Sequence, residues 1–167
     1  MVTHLDGKLD LSFIYAEMSF FELWWSQQNE ETKKKVKTFL QRGQLEIVTG
    51  GWVMTDEANS HYFSTIMELF EGHEFLQNHM SMFLLIKNIF KYKLNLDYVP
   101  KNHWSIDPFG LSPTLAYILN RANLTNMVIQ RVHYSVKKYL AKTKQLEFIW
   151  RQLFAGNAKN TDIITHM

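Results

Sequence analysis

Short apolar runs that alternate with helix-periodic segments leave this chain few ways to fold. The runs Phe13 to Glu17, Leu45 to Val48, Trp104 to Ile106, Met127 to Gln130, Leu146 to Trp150 and Asp162 to Thr165 have strand length. Between the earlier ones lie helical patterns: Phe20, Leu23, Trp24, Val36, Phe39 and Leu40 in one long segment opened by Ser19, then Ala58 to Met80, then Pro113 to about Asn120. Strand-helix alternation predicts an α/β fold, a parallel sheet or barrel with right-handed crossover helices. In such folds the side chains at the carboxyl ends of strands line the ligand crevice.

That rule draws attention to Trp104-Ser105-Ile106-Asp107-Pro108-Phe109-Gly110, where an apolar run stops on a carboxylate and Pro108 and Gly110 force a turn. Asp107 is placed for chemistry at a strand end. It is equally placed to cap a helix, since Asp before proline, followed by Ser112-Pro113-Thr114, is good capping chemistry. After the second strand, Gly50-Gly51 delivers Trp52, Asp56 and Glu57 into a loop. Two readings stand for these: an aromatic and two carboxylates lining a sugar site, or a core tryptophan and an Asp56 cap on the helix from Ala58.

Composition narrows the function classes. With 46% hydrophobic and 14% aromatic residues in 167, the chain can build one substantial core. A formal charge of +2, with both signs mixed along the chain, points to no nucleic-acid partner. The Lys33-Lys34-Lys35 run reads as a solvated helix face, and nucleic-acid binding through the Lys33 to Lys37 and Lys137 to Lys144 clusters has little behind it. The absence of cysteine removes disulfides, cysteine-ligated zinc and thiol catalysis. Met1 to Asp10 lacks a signal-peptide apolar core, and the longest apolar run, Met82 to Ile86, is far short of the roughly 20 residues a membrane span needs. The chain as it stands is expected in the cytosol, with no membrane segment.

The run WSIDPFGLSPT from Trp104 resembles the nucleophile segment of family 38 glycoside hydrolases, the class II α-mannosidases, whose pattern here is W-x-I-D-P-F-G-H-S. FIYAEMSFFELWW from Phe13, GQLEIVTGGWVMTDEANSHY from Gly43 and IQRVHYSVKKYLAKTKQLEFIWRQ from Ile129 match further family blocks in the same order. The block from Gln130 to Lys138 resembles the Golgi enzymes more than the lysosomal ones. The resemblance implies a partial copy of the family's amino-terminal catalytic domain and retaining hydrolysis of terminal α-linked mannose on N-glycans in the Golgi. It implies Asp107 as nucleophile and zinc ligand, Phe109 as an aromatic at the sugar subsite, and Arg131 as the nucleophile's charge partner. Zinc is the implied cofactor.

The sequence also departs from the family. Leu111 stands where members carry histidine, and the upstream H-N-D-P-G-W-like segment, the acid/base aspartate and the last zinc histidine have no counterpart. His166 ends a strand in the family pattern, and His61, His73, His79, His103 and His133 lack metal-ligand spacing, so structural roles are expected for them. Ser81 to about Asn95 is an atypical insertion with the composition of translated A/T-rich intron sequence. The chain alone is therefore expected to be inactive. The alternative is a truncated or degenerate relative that at most binds carbohydrate. Asn123-Leu124-Thr125 is a glycosylation sequon.

Overall fold

The computed structural model describes residues 1–56, 58–80, 98–156 and 159–167; Glu57 and the insertion at 81–95 lie outside the described residues. The chain divides into two compact units, Met1–Val53 with Leu69–Pro100, and Met54–Glu68 with Lys101–Met167.

The first unit opens with a one-turn helix α1 (Val2–Leu5), then strand β1 (Phe13–Tyr15), helices α2 (Met18–Ser26) and α3 (Glu30–Gln41), and strand β2 (Leu45–Ile47), which pairs in parallel with β1. The single long helix expected from Ser19 is broken in two. Asn29 ends the first piece by capping the second: its side chain accepts from the Thr32 amide at 2.9 Å, with Glu30 and Glu31 in the first turn where the helix dipole favours them. The break also changes which face is buried. Met18, Phe21 and Trp25 point inward, while Phe20 and Leu23, expected inside, are exposed. Lys33 and Lys35 pair with Glu30, Glu31 and Asp6 on the solvated face of α3.

The core of this unit gathers Phe21, Trp25, Val36, Phe39, Leu45, Ile47, Phe75 and Leu76, with Trp52 packed against it. That decides for Trp52 the packing role over the sugar platform. Phe75 and Leu76 come from helix α4 (Tyr62–Met80), whose Gly72 allows an unusually close approach: a Cβ there would sit 2.0 Å from the Gly50 carbonyl oxygen. Gly50 itself has φ 70°, a conformation that favours glycine. Half-buried Tyr98 donates to the Ile47 carbonyl and accepts from the Ile47 amide at 2.6 Å, and its partial burial pushes its hydroxyl up to about 12.

The second unit contains the first turns of α4 and then strand β3 (Asn102–Ser105), helix α5 (Pro113–Arg121), strand β4 (Asn126–Ile129), helix α6 (Tyr134–Lys142), strand β5 (Glu147–Trp150) and strand β6 (Ile163–His166). The strands form one sheet in the order β3-β4-β6-β5. β3, β4 and β6 run parallel, but β5 is antiparallel to β6. The all-parallel expectation fails at that edge for a local reason. Among its described residues the connection from β5 to β6 carries 3₁₀ turns at Leu153–Ala155 and Lys159–Thr161, whereas a parallel return usually crosses over through a helix. The described strands form two small sheets and no closed barrel.

On β3 the buried side chains are His103 and Ser105, each about 1% exposed, whereas Trp104, expected in the core, is only half-buried. Burial lowers the His103 pKa from its ordinary 6.5 to about 3, so the ring is neutral inside the fold. Leu115, Ala116 and Leu119 of α5 and Met127 and Ile129 of β4 supply apolar core. The sequon residue Asn123 is exposed with φ 66°, at the turn between α5 and β4.

Candidate active site

Parallel register brings the candidate residues together. β3 and β4 pair with a constant offset from Asn102↔Asn126 to Ser105↔Ile129, and continuing it two residues past the ladder sets Asp107 beside Arg131. Adjacent strands lie about 4.8 Å apart, so an aspartate and an arginine leaving neighbouring carboxyl ends fall within hydrogen-bonding reach. At the other end of the same ladder, Asn126 donates to the Asn102 side chain at 2.9 Å, in the same register.

Arg131 Nε and Nη2 both donate to one oxygen, Asp107 Oδ1, at 2.9 and 2.5 Å. Among the described residues no hydrogen bond reaches Oδ2. The Asp107 side chain is 70% exposed, so that oxygen stands open to a ligand. The guanidinium carbon of Arg131 also lies 4.4 Å from the centre of the Phe109 ring, a cation-π contact worth about 0.5–1 kcal/mol at an exposed site. Pro108, buried, anchors the turn that throws Phe109 out to solvent.

Asp107 does not cap α5. That role belongs to Ser112, whose Oγ accepts from the Thr114 amide at 3.1 Å, with Pro113 at the first helical position. Asp56 caps a turn instead of the predicted helix: its Oδ1 accepts from the Ala58 and Asn59 amides, and α4 begins only at Tyr62.

The histidines have structural work. His61 Nδ1 accepts from the Phe63 amide, the His73 ring bonds the Thr49 carbonyl, His79 packs on Phe75, His133 caps α6, and His166 faces Glu147 across the β5-β6 ladder. Among the described residues no three His, Cys, Asp or Glu side chains gather as a metal-holding group. Catalytic zinc takes about three protein ligands, so these residues do not by themselves fit one. A zinc ion at Asp107 would need partners from outside the described residues.

Sequence reasoning missed a cleft of ≈ 330 Å³ whose lining includes Phe109, Tyr62, Thr55, Asp56, Ser112 and Thr114. Its one signal was the hydroxyl-rich composition of the loops on either side of α4's start and of α5's start, which capping chemistry explains equally well.

Solved structures share this fold. An α-mannosidase from Enterococcus faecalis V583 superposes with a TM-score of 0.64 at 15% identity, covering 99% of this chain and 16% of that one. A 4-α-glucanotransferase from Thermococcus litoralis does so with a TM-score of 0.64 at 14% identity, covering 99% of this chain and 22% of that one. At such identities the likeness speaks for the α/β fold alone. The sequence is more specific: residues 1–167 match the glycosyl hydrolases family 38 N-terminal domain, and the chain belongs to that family. It is 47% identical to α-mannosidase 2 of Homo sapiens and 45% identical to α-mannosidase 2x of Mus musculus, in each case over 100% of this chain. The chain spans 13% of the length of either relative.

Proposed function

We propose that this chain carries the nucleophile half of a retaining α-mannosidase site, with Asp107 as nucleophile and Arg131 and Phe109 as the residues that position it and the sugar. The observation that carries the proposal is the one-sided grip of Arg131 on Asp107, which holds Oδ1 and leaves Oδ2 open beside an exposed aromatic. In a retaining glycosidase an aspartate oxygen attacks the anomeric carbon as the glycosidic bond breaks and the leaving oxygen takes a proton from a second carboxyl group. The covalent sugar ester is then released by water. Asp107 Oδ2 is the oxygen suited to that attack; in a longer chain that supplies further ligands, the Asp107 carboxylate would be one of the groups holding zinc, which would supply Lewis-acid chemistry at the sugar. Family membership supports terminal α-linked mannose of N-glycans as substrate and the Golgi as the place of action.

For this chain by itself the reading is binding without turnover, because the described residues do not assemble a zinc site. Ligand-observed NMR with methyl α-mannoside tests the nucleophile half. Binding by the purified chain, lost in Asp107→Asn, is expected; equal binding by both would sink the assignment. The same preparations should release no aryl group from an aryl α-mannoside. Release that disappears in Asp107→Asn would replace the binding-only reading with a complete enzyme.

A further inference from the structure

Helix α5 stops in a turn that does two things with one asparagine. The Asn123 amide donates to the Asn120 carbonyl at 3.0 Å and the Leu124 amide to the Leu119 carbonyl at 2.9 Å, the two hydrogen bonds of a Schellman stop. Such a stop holds the residue after the cap in the left-handed region, and Asn123 has φ 66°. Glycine fits there at least steric cost, and asparagine is among the few side chains that tolerate it. The backbone asks for no more than that tolerance; Thr125, two positions on, turns the asparagine into an acceptor. Asn123-Leu124-Thr125 is the only Asn-x-Ser/Thr triplet in the 167 residues. We infer that Asn123 is an N-glycosylation site, carrying an oligosaccharide on the edge of the sheet opposite Asp107. For the natural chain the inference rests on the Golgi setting proposed above.

The fold presents the triplet in a form that accommodates the product. Leu124 is fully buried and pins the turn to the core, while Asn123 and Thr125 on either side of it are exposed. The Thr125 main chain is fixed at the amino-terminal edge of the sheet: its amide donates to the Lys101 carbonyl at 3.1 Å, and its carbonyl accepts from the Ile164 amide at 3.2 Å. Among the described residues no hydrogen bond engages the Asn123 carboxamide, so substitution at Nδ2 breaks nothing in the turn. In the transfer, Nδ2 bonds to the anomeric carbon of an oligosaccharide carried on a lipid pyrophosphate. The carbon–oxygen bond to the pyrophosphate breaks, the pyrophosphate leaves with the electron pair, and one Nδ2 proton passes to a base of the transferase. The product is bulky and polar, which the fold tolerates at an exposed turn and nowhere in its core.

Position along β4 keeps the glycan away from the candidate active site. Asn123 precedes the amino end of the strand at Asn126, and Arg131 lies past its carboxyl end at Ile129. The strand between them covers roughly 10 Å at about 3.3 Å per residue, and the two residues lie beyond its opposite ends. Because β3 and β4 are parallel, Asp107 shares the Arg131 end. Modification at Asn123 therefore leaves the Asp107 carboxylate open.

The test expresses the 167-residue chain in insect cells behind a cleavable secretion signal and reads whole-cell protein, so that poor export does not hide the result. Loss of the signal reports entry into the lumen. One step of reduced gel mobility is expected, reversed by peptide-N-glycosidase, with the added mass mapped to the peptide containing Asn123. Thr125→Ser should keep the step. Thr125→Ala and Asn123→Gly should each abolish it, the second without loss of Tm because glycine suits the left-handed turn. Signal-cleaved chain with Asn123 bare overturns the inference, as does a step that persists in both of those variants. Ligand-observed NMR titration with methyl α-mannoside separates this outcome from the reading it rests on. Asp107-dependent binding by a chain whose Asn123 stays bare strikes the glycan alone. A glycan at Asn123 without Asp107-dependent binding strikes the mannosidase reading and leaves the acceptor standing. Binding that the glycan blocks and its enzymatic removal restores overturns the placement on the far edge.

Discussion

The second unit contains two arginine-aspartate pairs of opposite design. Arg151 meets Asp162 fork to fork, Nε on Oδ1 at 2.8 Å and Nη2 on Oδ2 at 2.6 Å, so both carboxylate oxygens are used. Arg131 spends both of its donors on Asp107 Oδ1. The first geometry is closed: a bidentate pair satisfies its carboxylate and ties β5 to β6 across their 3₁₀ connection. The second is open, since the arginine orients the carboxylate but leaves an oxygen for something else. The burial differs in the same sense, with the Asp162 side chain 16% exposed and that of Asp107 70% exposed. An ion pair at a strand end is thus not enough to mark a site. The two pairs differ in which carboxylate lone pairs they leave over.

The largest expected effect breaks the comparison at its functional end. Asp107→Asn should abolish methyl α-mannoside binding, and Asp162→Asn should leave it intact, as read by the same NMR titration. Loss of binding in both, with both variants folded by circular dichroism, would mean that the open geometry has no special standing.

The pH dependence of stability sharpens the comparison at an intermediate scale. His103 lies on β3, the strand that delivers Asp107, and its pKa in the fold is about 3 against an ordinary 6.5. As pH falls below 6.5 the unfolded chain takes up a proton that the folded chain refuses. Stability should therefore drop from pH 6.5 toward 3, by up to about 1.4 kcal/mol per pH unit. Asp162 acts in a lower window. The hydrogen bond from Arg151 holds its carboxyl below the ordinary 3.8, so its contribution is complete above 3.8 and is lost as pH falls beneath that value. Urea denaturation across pH 3 to 7 should show the first slope, and His103→Gln should flatten it. A stability that does not change between pH 6.5 and 4 would contradict the buried neutral imidazole.

The smallest effect concerns the shape of the cation. Arg151→Lys replaces a fork with a point charge and should lower Tm slightly, because one amine cannot bridge both Asp162 oxygens in the same geometry. Arg131→Lys asks less of the replacement, since a single oxygen is held, and should leave Tm where it was. A larger Tm loss for Arg131→Lys than for Arg151→Lys would reverse the assignment of structural and functional pairs.

Much of the candidate site's geometry was legible in the sequence. Asp107, Phe109 and Arg131 were named from a strand-turn pattern and a family resemblance, and the structure brings them into contact. The reason is that parallel pairing keeps a constant offset, so residues just past two strand ends become neighbours once the strands are identified. The cleft was not legible. Its lining joins the loop before α4 to the start of α5, and residues such as Ser112 and Asp56 announce only their local capping role. The break at Asn29, the exposure of Phe20 and Leu23 and the burial of His103 and Ser105 were also missed, because apolar periodicity does not say where one helix phase ends or which face of a strand is covered.

What the sequence determined by itself was the α/β class, the order of most elements, the family and the carboxylate at the strand end, all of which follow from local pattern and motif. Only the tertiary structure decided that β5 returns antiparallel, that α4 needs glycine at position 72 to pass the Gly50 carbonyl, that Ser112 takes the cap Asp107 could have taken, and that Arg131 grips one oxygen and not two. Those outcomes depend on which backbone atoms come within a few ångströms of one another across long stretches of chain. Nearest-neighbour chemistry along the sequence carries no record of such distances.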